Sequence, residues 1–512
     1  MSHAPGPPQG PFRILAFRDG FPRRLQPWVY VFFALCFQLS GGRYLGAMGY
    51  MMGEEQLMRE DLMMCLHCNL AGMASLFPLL FRMKFRFTNL TLLRAAAIGV
   101  LVTNLLIPYT TCLPLLWLLC FIEGYCKLQG TFECMSNIQL WMSPTRNMRV
   151  FFPILHLFIM FGVNGSAWIA VQLAFGCDDW RLMHWLVAGL MLVILLIMKL
   201  TLRHARFMPK VPLWGIDWVG YVLWNALLLQ LAYLFDYGDW MDWYNSPVCC
   251  TLTGTLCITV ALLIINSRVK IHPFVSRKVF KFSNVNIVLV VVTLFEMLLA
   301  AENVLEEALM EGGLHFSEYT ASSRHLASLV GAYLGCGFGF WWMKIRNFGF
   351  TKLGLVASIA LTLYMLQMYF LVAPGVNIEQ FWLPAACRGF ATALVGIMLM
   401  TLLNASMDFP TFFIGLCVFN SIHMMFGGCL GGALYTHLLD WATADAAAHY
   451  APWQTGINVL LIGVRSCYGW ALYACVALIL AYFVYDSPAH RYHEHRMVPW
   501  RRLGMVFRRK RN

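Results

Sequence analysis

Runs of about twenty mostly apolar residues recur along this chain, each long enough to cross a bilayer as a helix. Fourteen are read, near 28–48, 61–82, 91–111, 113–142, 149–175, 182–202, 216–235, 247–266, 284–310, 326–343, 353–373, 379–403, 410–437 and 458–485. A chain built this way needs lipid as its solvent, where only helices or closed barrels satisfy their own backbone. Composition agrees: 60% of the 512 residues are hydrophobic and 12% are charged, about half the usual charged fraction of a soluble domain. The predicted fold class is an all-α membrane protein with fourteen transmembrane helices.

Charge in the connections gives an orientation. One alternate set is basic: Arg82, Lys84 and Arg86; Arg146 and Arg149; Arg203 and Arg206; Arg268 through Lys281; Lys344 and Arg346. The tails 1–27 and 487–512 are basic too. The other set is acidic or neutral, as in "CDDW", "DYGDWMDWY" and "MEGGLHFSEY". The alternation predicts both termini in the cytoplasm. The tail 1–27 lacks an apolar core, so no cleavable signal peptide is expected. The basic connection near 267–283 is suited to lie on anionic lipid.

No connection is long enough for a soluble domain, and no nucleotide-binding loop, metal-ligand cluster or nucleophile–base set is read. The chain is therefore expected to be no enzyme, to carry no cofactor and to use an ion gradient rather than ATP. The net charge of +12 resides in loops and tails and implies no nucleic acid. The 17 cysteines lie mostly within spans, so no structural disulfides are expected. Cys65, His67 and Cys68 read as helix packing, because no second donor pair is evident for a metal.

Seven charged residues within apolar spans are singled out: Arg43, Glu123, Lys127, Glu133, Glu296, Glu302 and Arg388. A charge at that depth costs roughly 3 kcal/mol on insertion scales, so such residues face a partner or a cavity. Glu296 lies mid-span, where a dry surrounding favours the neutral form of a carboxyl group and allows proton exchange. Asn303 and Glu307 follow it at 7 and 11 residues, on the same face of an uninterrupted helix. Glu306, Glu307 and Glu311 read as a solvated helix end, and Glu302 as a cavity candidate. Glu123 and Lys127 have the i,i+4 spacing of an intrahelical pair. Glu133 has no local partner. Arg43 and Arg388 each need an acid or an anionic solute. Of the intramembrane histidines His67, His156 and His423, the last follows Asn420 at a spacing of interest below. The proton-coupling candidates are thus Glu296, Glu133 and Glu123. The cavity candidates are Arg43, Lys127, Glu302, Asn303, Arg388 and His423.

Several motifs carry a family resemblance. Trp180-Arg181 opens one span; "IDWVGYVLWN" begins another; "KIHPFVSRKVFKFSNVNI" leads into a third; Gln129-Gly130, Pro144 with Arg146, and Arg388-Gly389 recur at matching intervals. In these the chain resembles the fourteen-helix drug:proton antiporters (EmrB/QacA type) of the major facilitator superfamily. The resemblance implies two six-helix bundles, 28–202 and 284–486, separated by two inserted helices and a basic loop at 203–283. It implies a cavity lined by the first and fourth helix of each bundle. Those are the spans that hold all seven buried charges.

The departures fall on coupling residues. "FRMKFRFTN" lacks the family's aspartate and glycines, and "FQLSGGRYLGAMG", in the helix where the family carries an aspartate, has Arg43 and no acid. "FGVNGSAW" has no proline, Cys126 replaces an arginine before Gln129, and His423 stands where an arginine follows Asn420. By resemblance the expected function is proton-coupled efflux of lipophilic or amphiphilic compounds across the cytoplasmic (inner) membrane, by alternating access. The implied partners are a periplasmic membrane-fusion adaptor and an outer-membrane channel. Export or import of a specific metabolite, siderophore or lipid precursor is the alternative on the same fold; a non-transporting receptor or scaffold is the second.

Overall fold

A computed structural model describes residues 17–41, 46–55, 57–142, 147–204, 213, 215–281, 283–346, 350–449 and 459–485. Arg43, Pro144 and Arg146 lie outside these residues, as do the tails 1–16 and 486–512. The described chain is almost wholly helical, and one isolated bridge joins Phe17 to Leu202.

The helices follow the apolar runs. They are α1 (Gln26–Leu39), α2 (Arg59–Arg86), α3 (Asn89–Leu106), α4 (Leu113–Met142), α5 (Met148–Cys177), α6 (Leu182–Thr201), α7 (Trp218–Tyr237) and α8 (Pro247–Val269). Then come α9 (Ser283–Leu299), α10 (Glu318–Ile345), α11 (Phe350–Leu371), α12 (Trp382–Ser406), α13 (Pro410–His449) and α14 (Val459–Tyr485). Polar residues cap several ends, where the first amides have no partner within the helix. Thr88 Oγ1 accepts from the Thr91 amide, Asp217 Oδ1 from Gly220, and Ser246 Oγ from Val248, with Pro247 in the first turn of α8.

Eleven helices among the described residues are long and apolar enough to cross a membrane. The chain is a multi-pass membrane protein. The expected fourteen exceeds that number for physical reasons. In α4 the polar residues Glu123, Lys127, Gln129 and Glu133 dilute an apolar stretch of 30 residues. The helix α1 is short, at 14 residues. The third shortfall, α9, has 17 residues before π-helical turns at Glu302–Glu306 and Ala308–Gly313 replace the α-helical ladder.

Packing repeats itself. In the first half α4 lies against α1, α2 and α3, and α3 against α6; in the second, α12 lies against α10 and α11, and α11 against α14. The halves meet where α2 packs on α13 and α5 on α10. The helix α7 docks on α2 and on the π-helical part of α13, and α8 packs chiefly on α7.

One crossing is duplicated residue for residue. A Cβ on Gly72 would lie 2.1 Å from the Phe121 carbonyl oxygen, and one on Gly124 2.0 Å from that of Asn69. A Cβ on Gly331 would lie 1.9 Å from the Ala386 oxygen, and one on Gly389 2.0 Å from that of Ser328. In both pairs each glycine faces the residue three before the other, so the backbones touch as small-residue crossings in membranes do. Glu123 and Arg388 each stand one residue before the glycine. The two charges therefore occupy equivalent positions in the two halves.

Candidate functional site

The buried charges form separate clusters rather than one. Arg388, 1% exposed, reaches from α12 to two carboxylates in the π-helical turn that follows α9. It makes a close ion pair with Glu306 and another at 2.7 Å with Glu302. Glu306 also accepts from the Tyr364 hydroxyl of α11 at 2.6 Å and pairs with Arg324 of α10 at 3.4 Å. The Tyr364 ring stands edge-on to Tyr468 of α14. Two acids and two arginines make this cluster neutral, as a low-dielectric site requires if the charges are to survive burial.

Glu306 is a correction to the expectation of a solvated helix end, being 2% exposed and held by Arg388, Arg324 and Tyr364. The π-helical turn Glu302–Glu306 changes the residues per turn just there. The same turn breaks the expected shared face of Glu296, Asn303 and Glu307. Glu307 instead pairs with Arg59 at 2.7 Å, and Arg59 also donates to the Asn303 carbonyl. Glu296 meets a different helix altogether.

That meeting joins two residues singled out from sequence. The His423 Nδ1 lies 2.8 Å from Glu296 Oε2. Glu296 is 7% exposed at its side chain, whereas His423 is 47% exposed, so the pair has one dry and one open member. His423 opens the π-helical stretch His423–Leu430. Gly427 follows in that stretch, and a Cβ there would stand 3.2 Å from Glu296 Oε2. The glycine lets α13 approach the carboxylate closely.

In the first half, Glu123 accepts from Asn104 Nδ2 of α3 at 2.7 Å, and Asn104 Oδ1 lies 3.1 Å from His184 Nδ1 of α6. Lys127 is buried beside Gly41, whose added Cβ would fall 1.9 Å from the lysine Nζ. Glu133 is buried with Lys84 Nζ 3.6 Å away.

A cavity of about 190 Å³ opens between the halves at the acidic-loop end. Glu302, Glu307, Glu311 and Glu318 line it with Arg59 and Arg324. The backbone of the short helix Met48–Glu55 closes on it, with the Gly49 amide donating to Glu318 Oε1 at 2.8 Å. Glu302 and Asn303, two of the cavity candidates, both line this cavity.

Sequence reading missed the partners supplied by other helices: Glu306, Arg324, Tyr364, Asn104 and His184. It also missed Asp236. His67 Nδ1 meets Asp236 Oδ2 of α7 at 2.7 Å, and Asp61 takes the Tyr237 hydroxyl, so α7 is tied twice to α2. His67, Asp236 and Cys429 offer donor atoms within 4.8 Å of one another. These are the donors a metal ion would find, although the imidazole is already engaged by Asp236. Asp236 lies one residue past the 216–235 run, among residues read as an acidic connection, and the structure places it in the last turn of α7.

No family model matches the chain, and no curated protein does. Solved structures do. The nucleoside transporter NupG matches with TM-score 0.55 at 14% identity, covering 90% of this chain and 100% of that one. The POT family transporter PepTSo gives 0.55 at 15%, with 91% and 100% covered. The human organic anion transporter MFSD10 (TETRAN) gives 0.54 at 12%, with 90% and 99% covered. All three are transporters by name. The chain is a multi-pass α-helical membrane protein with the fold of the major facilitator transporters.

Proposed function

We propose that this protein is a proton-coupled secondary active transporter working by alternating access, with two six-helix bundles (28–202 and 284–486) and two inserted helices. It has fourteen crossings and both termini in the cytoplasm. The observation that carries this reading is the Glu296–His423 pair. It joins a buried carboxylate to a half-exposed imidazole, on helices α9 and α13, and a carboxyl group and an imidazole can each carry a proton. A proton arriving at the open histidine reaches the carboxylate through a single hydrogen bond. The duplicated glycine crossing supports a fold of two equivalent halves rocking about the α2–α13 and α5–α10 contacts.

The transported compound is lipophilic or amphiphilic and leaves across the inner membrane, with a periplasmic adaptor and an outer-membrane channel as partners in a Gram-negative host. A second reading, transport of a specific polar metabolite, is favoured by the charged lining of the cavity between the halves. Its neighbours in fold carry nucleosides, peptides or organic anions by name.

In sealed vesicles holding the protein, a protonophore should collapse solute transport, and ATP should have no effect while the proton gradient is clamped. ATP-driven uptake under the clamp would sink the coupling mechanism. The orientation is tested by labelling single-cysteine variants. Residues 242–246 should react from outside and residues 272–278 from inside; labelling of both from one side would remove the fourteen-crossing arrangement.

A further inference from the structure

At the basic end of the inserted helices a second cavity of about 250 Å³ lies between α7, α8 and the connection that follows α8. Its walls are mostly apolar, with Trp224, Leu263, Phe274 and Phe280 among them, and Arg268 and Arg277 stand in its lining. Asp217 lies within it too, but this carboxylate is fully used. It accepts from the Gly220 amide at 3.0 Å, from Asn266 Nδ2 at 2.7 Å and from the Phe274 amide at 3.1 Å. Those bonds pin the start of α7, the end of α8 and the connection into one rigid corner.

Two further observations say what this corner meets. The helix α8 is the least buried of the eleven membrane-length helices. It packs chiefly on α7 alone, and most of its residues are exposed or only partly buried. In its last turn and past it, Val269, Ile271 and Phe280 are exposed, among Arg268, Lys270, Arg277, Lys278 and Lys281. Apolar side chains alternating with cations at the end of a membrane helix suit the boundary between acyl chains and anionic headgroups.

We propose that this cavity is a binding site for one anionic phospholipid. An acyl chain fills the space against Trp224, Leu263 and Phe280. The phosphate rests on the guanidinium groups of Arg268 and Arg277, whose planar forks suit phosphate oxygens. Charge selects the occupant: a zwitterionic lipid gains the apolar contact but carries an ammonium group toward the two arginines. The site bears on transport through the chain itself. The connection holding Arg277, in which Val279 is buried, leads into α9, which carries Glu296 and is followed by the π-helical turn of Glu302 and Glu306. The proposal holds whatever the central cavity carries.

The test uses the full chain in detergent, followed by thermal unfolding during titration with dioleoyl-phosphatidylglycerol, dioleoyl-phosphatidylcholine or sn-glycerol 3-phosphate. Only the phosphatidylglycerol should raise the unfolding midpoint, and it should do so saturably. In the Arg268→Gln/Arg277→Gln double variant the half-saturating lipid concentration should rise roughly thirty-fold, as expected for losing two basic contacts. Lys352→Gln, an exposed charge at the start of α11, should leave it unchanged. Arg268→Lys/Arg277→Lys keeps the charge and should retain most of the effect, which separates lipid binding from misfolding. An unchanged midpoint shift in the Gln double variant overturns the site. Equal stabilisation by the phosphatidylcholine overturns the role of charge, and equal stabilisation by glycerol phosphate overturns the lipid in favour of a free anion.

Discussion

Glu296→Gln should abolish gradient-driven transport while the protein still folds and still binds its solute. The substitution keeps the shape and one hydrogen-bonding oxygen for His423, but removes the titration. The pH profile of transport should flatten, because one of two coupled groups no longer exchanges a proton. His423→Asn tests the other member of the pair. It leaves Glu296, 7% exposed at its side chain, without its imidazole, and it should also uncouple transport. The measurement is solute flux into proteoliposomes under an imposed pH gradient, across a range of pH. A wild-type rate and profile in Glu296→Gln would make this pair structural and move the proton to Glu133, then Glu123.

Arg388→Met should destabilise the protein by about 3–5 kcal/mol, the usual cost of removing one partner from a buried ion pair. Arg388 holds both Glu306 and Glu302, and without it only Arg324 faces Glu306 as a cation within 4 Å among the described residues. The double variant Arg388→Met/Glu306→Gln should recover much of the loss, since it no longer leaves a buried charge unpaired. Unfolding of the purified protein in detergent checks both. An Arg388→Met variant as stable as the parent would mean that the cluster is hydrated and weakly coupled. Recovery in the double variant without recovery of transport would assign the arginine a part in the transport cycle as well.

The helices were legible because the bilayer imposes a length and a composition on each, and both are written locally. The runs near 61–82 and 247–266 appear as Arg59–Arg86 and Pro247–Val269. Most of the buried charges were legible for a related reason: a charged side chain in an apolar run stands out whatever its partner. Glu123, Lys127, Glu133, Glu296 and Arg388 are indeed buried. Glu306 was not legible. From its position near the end of a span it reads as solvated, and only the π-helical turn and the reach of Arg388 bury it.

That the chain is helical, membrane-embedded and furnished with charges at depth is written locally, because each follows from hydropathy over some twenty neighbours. Packing between helices sets which charge meets which. Glu296 and His423 are separated by 127 residues, His67 and Asp236 by 169, and Arg388 and Glu306 by 82. It also decided that Glu123 and Arg388 are equivalent, through two glycine crossings whose flanking sequences share little else. The physical reason is the range of the forces. Transfer of a helix into lipid is set by its own side chains. The pairing of buried charges is set by packing between helices, where a glycine or a single π-helical turn redirects which side chains meet.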